Sequence, residues 1–352
     1  MATINRRVVL KQLPVGMPTP ADFQIVAEPL GGIEDGQMLL KTRWLTLDPY
    51  LRTTFMLQGQ NVGKTVIGGT VSEVVESQAP GWDVGDLALG FYGWQEYSVA
   101  TASDVQWNNP NLPIRKWDGS LGEPSTALGI LGMTGYTAYE GLLNVAKVKP
   151  GETVVVSAAS GAVGQVVGQL AKIHGARAVG IAGGPAKCGF CVGELGFDAC
   201  IDYKAGNLAA DLAAATPDGI DIYFENVGGD VLEAVIPRLN PGARIPICGF
   251  IAHYNETPGT RRPTPLERLQ AQGLKVLGKD GNTEGFTFFT FSNLASQRPQ
   301  AEQALETMSA WIASGQLKHR ESITDGLDSA VDAFIGMLGG RNFGKTLVRV
   351  SR

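Results

Sequence analysis

Near Gly129 the spacing of hydrophobic positions along the chain changes character. Before it, short β-rich segments such as "QMLLKTRWLTLDPY", "GGTVSEVVES", "VGDLALGFYG" and "WQEYSVA" are punctuated by Gly and Pro, which predicts a small β-barrel or a partly open sheet. After it, apolar strands ("TVVVSA", "ARAVGIAG", "CIDY", "IDIYFENVGG", "ARIPICGF") alternate with helical stretches, the first of which runs to Ile173. That alternation predicts a doubly wound parallel sheet with helices on both faces. The tail adds a helix ("AEQALETMSAWIASGQ"), a strand ("KHRESI"), a second helix ("LDSAVDAFIGMLGG") and a last strand ("KTLVRV"). Because the doubly wound pattern is complete near Phe291, much of this tail is expected to rejoin the first domain. The segment "NETPGTRRPTP", dense in Pro, Gly and Arg, is expected to be a mobile loop that either closes over a substrate or stays solvated.

One strand-to-helix turn carries the first chemical signal. In "SAASGAVGQVVGQLAK", Ala159, Gly161 and Gly164 give the spacing A-x-G-x-x-G after an apolar strand and before an apolar-periodic helix. Small residues there let backbone N–H groups approach a pyrophosphate at the helix N-terminus, so Ala159, Ser160, Gly161, Ala162, Val163 and Gly164 are candidate cofactor contacts. An NAD site would carry an acid about 20 residues further on. The stretch there is "AGGPAKC", with no acid and with Lys187, which suits the 2'-phosphate of NADP(H) better than a ribose hydroxyl pair. Tyr203 of "CIDYK" can pack beside the same group; the plain alternatives are a solvated lysine and a half-buried strand tyrosine. Ligands of open sheets bind beyond the carboxyl ends of the strands, which adds Asn226, Cys248, Gly249 and the segment through Tyr254. Asn226 precedes Gly228 and Gly229, so a turn role competes there.

Composition narrows the field. A chain of 352 residues is long enough for two domains with their own cores, and a net charge of -5 with 18% charged residues gives no field to gather nucleic acid or anionic lipid. No segment reaches membrane-spanning length or makes a signal-peptide core, so a cytoplasmic protein is expected. A catalytic zinc normally needs three protein ligands of the Cys, His or acid type. The portion before Gly129 has no Cys and no His, so no metal site is expected. Cys188 and Cys191 form a C-x-x-C pair, more readily small packing residues than a redox or metal site, and Cys200 and Cys248 do not complete a ligand set.

Taken with "LGILGMTGYTAYEGLL", "ELGFDACIDYK", "ARIPICGFIAHYN" and "GLDSAVDAFIGMLGGRNFGKTLVRV", these motifs resemble the zinc-independent, NADPH-dependent medium-chain dehydrogenase/reductases, in the branch of prostaglandin, 2-alkenal and curcumin reductases. The resemblance spans nearly the whole chain. It implies an α/β architecture: a GroES-like β-barrel catalytic domain split between residues 1–128 and 300–352, with a Rossmann NADP-binding domain at 129–299. By motif match it assigns Phe286, Thr287, Phe288 and Asn342 to the nicotinamide half, and Tyr50 of "DPYLR" to the substrate cleft. The segment after "DPYLR" and the segment "LGKDGNTEGFTFFTF" both depart from the family pattern, which leaves substrate preference open. The resemblance also favours a homodimer, with "GFTFFTF" as an edge strand pairing with its twin or else as core. Without a metal, hydride addition to the β-carbon of an enone or enal is the expected reaction, because hydrogen bonds from the nicotinamide ribose hydroxyl, Tyr254 or Tyr50 can stabilise an enolate oxygen. The alternatives are an NADPH:quinone oxidoreductase and an NADPH-binding protein without chemistry.

Overall fold

The computed structural model describes residues 3–57, 62–104, 114–256, 267 and 298–351. The chain divides into two compact units, one formed by Met1–Gly132, Phe291–Ser309 and Glu321–Arg352, the other by Met133–Thr290 and Ala310–Arg320. Each builds its own core.

The first unit begins with strands β1 (Ile4–Leu10), β2 (Phe23–Pro29), β3 (Gln37–Thr46), β4 (Thr70–Ser77), β5 (Leu87–Gly90), β6 (Tyr97–Thr101) and β7 (Arg115–Lys116), with helix α1 (Leu51–Leu57) after β3. β1 and β2 pair antiparallel, and isolated bridges from Arg7, Val9 and Leu10 tie β1 to Gln95, Thr65 and Val62. The remaining strands join one antiparallel network centred on β3, which pairs with both β4 and β6.

The second unit opens with helix α2 (Met133–Tyr139), a π-helical turn at Glu140–Val145 and β8 (Thr153–Ser157). It continues through α3 (Gly164–Ile173), β9 (Arg177–Ala182), α4 (Pro185–Gly193), β10 (Ala199–Asp202), α5 (Leu208–Ala215), β11 (Ile220–Phe224), α6 (Gly229–Val235) and β12 (Leu239–Arg244). The five strands are parallel in the order β10-β9-β8-β11-β12. Every residue of β8 is buried, as expected for a strand covered on both faces. Its core includes Val155, Val179, Ile181, Ile201, Ile222 and Tyr223 with Leu212 and Leu232 from the covering helices. The last strand differs from expectation: β12 is the turn-rich "LNPGAR", and the apolar run after it keeps one bridge, Ile247 to Glu225. Pro246 has no N–H to donate, so a regular ladder cannot pass through it.

After α7 (Arg298–Ala313), the strands β13 (Glu321–Asp325) and β14 (Lys345–Arg349), separated by α8 (Ala330–Leu338), return to the first unit. β14 pairs parallel with β13 and antiparallel with β3, which completes a seven-stranded sheet. Four rings close the core beside it: Phe23 stacks on Trp94 (6.2 Å), Trp94 meets Phe334 edge-on (5.4 Å), and Phe55 touches both Phe334 (5.8 Å) and Phe23 (5.9 Å).

Candidate functional site

The turn after β8 has no room for larger side chains. A Cβ at Gly164 would lie 2.3 Å from the Ala158 carbonyl oxygen, and one at Gly161 would lie 3.1 Å from it. Ala158 takes a left-handed φ of +50, and the Gly161 N–H closes the turn on the Ala158 oxygen at 2.8 Å. Ala159 and Ser160 are buried, whereas Gly161, Ala162 and Val163 are partly open ahead of α3. Helix α3 is fixed from behind. The Gln165 and Gln169 amides exchange hydrogen bonds with the backbone of Arg320 and Lys318, and the Phe197 ring lies directly over Gly168.

Beside this turn, where β8 and β11 end, the chain reversal of the sheet opens the crevice in which such folds bind ligands. The Asn226 N–H donates to Ser157 Oγ at 2.9 Å, and its side-chain Nδ2 donates to the Ser157 carbonyl at 2.8 Å. Glu225, fully buried, accepts on Oε1 from Tyr223 Oη (3.0 Å), Ser157 Oγ (3.1 Å), Val227 N (2.6 Å) and Gly228 N (3.0 Å). Burial raises its pKa while these donors pull it down. The Cys248 and Gly249 N–H groups reach the Glu225 carbonyl, so the segment after β12 is held at the same edge. Tyr254 lies on that segment with its hydroxyl over Gly249, where a Cβ would come within 2.6 Å of it. Burial first, and then Cys248, push the Tyr254 phenol up to about 12.

At the far edge, Gly183 is covered by Tyr203 and Lys204: a Cβ there would meet the Tyr203 ring at 2.9 Å and Lys204 Cε at 3.0 Å. Lys187, on the first turn of α4, has its pKa lowered by burial and then by the charge of Lys204, so the two ammonium groups are near enough to repel each other. That arrangement favours a dianion between them. Asp202 is turned away from a ribose role, because Oδ1 accepts from Gly184 N at 2.7 Å and from Lys204 N at 3.0 Å. Lys204, whose charge acts on Lys187 and whose ammonium lies 5.9 Å from the Tyr203 ring centroid, links the two predicted residues; sequence reasoning passed over it although it adjoins Tyr203. Ser157 and Glu225 were also missed.

In the first unit, Tyr50 and Asn342 lie close in sequence to opposite partners of one buried ion pair. Asp48 accepts from Lys345 Nζ at 2.6 Å on Oδ1 and from Thr46 Oγ1 at 2.7 Å on Oδ2, and Lys345 also donates to the Leu47 carbonyl. Tyr50 follows Asp48 by one turn residue, its ring against the Trp94 cluster and its hydroxyl oxygen buried. Burial and then Asp48 hold its pKa well above the usual phenol value. Asn342 lies three residues before Lys345 and donates to the Gly344 carbonyl. Phe286, Thr287 and Phe288 lie outside the described residues, as does most of the segment expected to be a loop after Asn255.

None of the four cysteines is in a disulfide. Cys188, Cys191 and Cys200 hydrogen-bond among themselves, and the Cys200 pKa is raised first by Cys191 and then by burial, which is the behaviour of packed thiols rather than reactive ones. Among the described residues no group of three or more His, Cys, Asp or Glu could hold a metal ion, and no helix is long and apolar enough to cross a membrane.

Two family models match the chain, one described as the N-terminal domain of oxidoreductase over residues 6–107 and one as zinc-binding dehydrogenase over residues 162–294. Among the described residues of that stretch no three Cys, His, Asp or Glu side chains gather to hold the zinc of the second description. The chain is 42% identical to the NADPH-dependent curcumin reductase of Escherichia coli (strain K12), across 99% of this chain and 97% of that protein. It is 36% identical to prostaglandin reductase 1 of Bos taurus, across 97% of each. Among solved structures, CurA of Vibrio vulnificus in complex with NADPH is similar with a TM-score of 0.86 and 39% identity, covering 99% of both chains.

Proposed function

From the premise that this chain belongs to the medium-chain dehydrogenase/reductases and is an NADP(H)-dependent oxidoreductase, we propose that it reduces the C=C bond of α,β-unsaturated ketones and aldehydes. The observation that carries the reading is the dinucleotide cradle around Gly164 in the second unit, with the mostly buried Tyr254 hydroxyl over Gly249 as a hydrogen-bond donor. Relatives that reduce curcumin and prostaglandins support the same substrate class.

The Ala159–Gly164 turn holds the pyrophosphate, Asn226 contacts the cofactor on its nicotinamide side, and Lys187, Lys204 and Tyr203 take the 2'-phosphate. Cys248, Gly249, Tyr254 and Asn342 hold the nicotinamide half, with Phe286, Thr287 and Phe288. The hydride that the β-carbon receives is the chemistry NADPH supplies when bound. Charge then develops on the enolate oxygen, where a hydroxyl from Tyr254 or Tyr50 can donate without a metal. The α-carbon takes its proton from water or from one of these phenols. In this reading residues 1–128 and 300–352 form the catalytic domain, 129–299 the NADP-binding domain, and the protein works as a cytoplasmic homodimer.

The test is cofactor oxidation, with NADPH and NADH in parallel, against an enone, a 2-alkenal, a quinone and a saturated ketone, the products being identified by mass. NADPH-selective saturation of the enone or alkenal is expected. Turnover of the saturated ketone alone would sink the conjugate mechanism, turnover of the quinone alone would make the protein a quinone reductase, and tight NADPH binding without turnover would make it a binding protein.

A further inference from the structure

Glu225 is a carboxyl of the second unit with no measurable exposure, and the cofactor contacts proposed above do not use it. Burying a carboxyl is costly unless it is well bonded. Here the bonds are one-sided: Oε1 takes four donors, while Oε2 is buried and meets no partner among the described residues. Two of the four are backbone N–H groups of the turn between β11 and α6. The third is Ser157 Oγ, which, with its proton given to Glu225, is left to accept the Asn226 N–H. The Asn226 side chain is locked in turn on the Ser157 carbonyl. Through its own carbonyl Glu225 also holds the Cys248 and Gly249 N–H groups. One side chain thus fixes the ends of β8 and β11, and its backbone fixes the segment leading to Tyr254.

We propose that Glu225 is a positioning residue for the nicotinamide half of the cofactor: it sets Asn226, the 226–228 turn and the Cys248–Gly249 backbone without touching the cofactor itself. The inference rests on the NADPH reading above. Glu225→Gln keeps an acceptor oxygen for the four donors and directs its amide nitrogen to the unpartnered Oε2 position, so the variant retains the fold. Glu225→Asp keeps the charge but draws it back by one methylene.

Both variants and the wild type would be compared in three readouts: affinity for 2',5'-ADP, which senses the adenosine end alone; the emission of bound NADPH, which senses the nicotinamide environment; and kcat with the primary isotope effect from NADPH deuterated at C4. The expected result is an unchanged 2',5'-ADP affinity, a shifted emission, and a kcat lowered about tenfold in Glu225→Gln and roughly a hundredfold in Glu225→Asp, with the isotope effect rising as hydride transfer becomes limiting. Unchanged emission and isotope effect in both variants would overturn the proposal, and so would a parallel fall in 2',5'-ADP affinity, which would mean general loosening. If the wild type binds NADPH but reduces no enone, the substrate reading fails and the emission comparison still decides for Glu225.

Discussion

Gly164 and Lys187 probe the cofactor cradle from opposite directions. At Gly164 a methyl group would meet backbone atoms at 2.3 and 2.7 Å, which no side-chain rotation relieves, so Gly164→Ala is expected to lose NADPH affinity at least tenfold by titration and to lower the melting temperature. Lys187→Ala leaves the turn intact and removes a charge-assisted contact of about 1.5–3 kcal/mol. The KM for NADPH should rise roughly 10- to 100-fold while that for NADH stays nearly constant. Tyr254 supplies a pH test. Its pKa of about 12 exceeds the ordinary 10.0, so the folded state keeps a proton that the unfolded chain sheds first. The stability this gives is complete below pH 10 and is lost as pH rises toward 12. Denaturant unfolding over that window should show the wild type losing stability relative to Tyr254→Phe.

Elements differ in how plainly the sequence announced them. β8, its turn and α3 were legible because a continuous apolar run, glycines at fixed spacing and a helical period coincide within one short stretch. β12 was displaced because its pairing runs through "LNPGAR", which has no strand-like pattern, while the strand-like "IPIC" contains the proline that interrupts a ladder. Glu225 was illegible for a different reason: its meaning lies in Ser157, 68 residues away, and a single acid in "IYFENVGG" has no spacing to betray a partner. The Asp48–Lys345 pair is equally long-range, joining the end of β3 to the start of β14 with side chains only 4% and 3% exposed. Asp48→Asn strands a buried ammonium and should cost about 3–5 kcal/mol in denaturant unfolding. Asp48→Asn combined with Lys345→Met should recover much of that loss. Tyr50 and Asn342, flanking the two partners, give the pair a second readout in turnover.

For the molecule as a whole, the ring cluster of Phe23, Phe55, Trp94 and Phe334 is the point where distant stretches of chain depend on one another. Trp94→Ala should remove about 3–5 kcal/mol, seen as a lowered midpoint of unfolding. The same dependence has a temporal side. Leu45 and Thr46 find their partners in Val348 and Leu347, which leave the ribosome about three hundred residues later. Until then the Trp44–Thr46 end of one β3 edge stands open, a surface that invites pairing with other chains. A ribosome stalled before Lys345 therefore presents a nascent chain whose five described parallel strands are all made, while the other sheet lacks β14 and with it the partner of β13, and such chains are the ones a holding chaperone would be expected to retain.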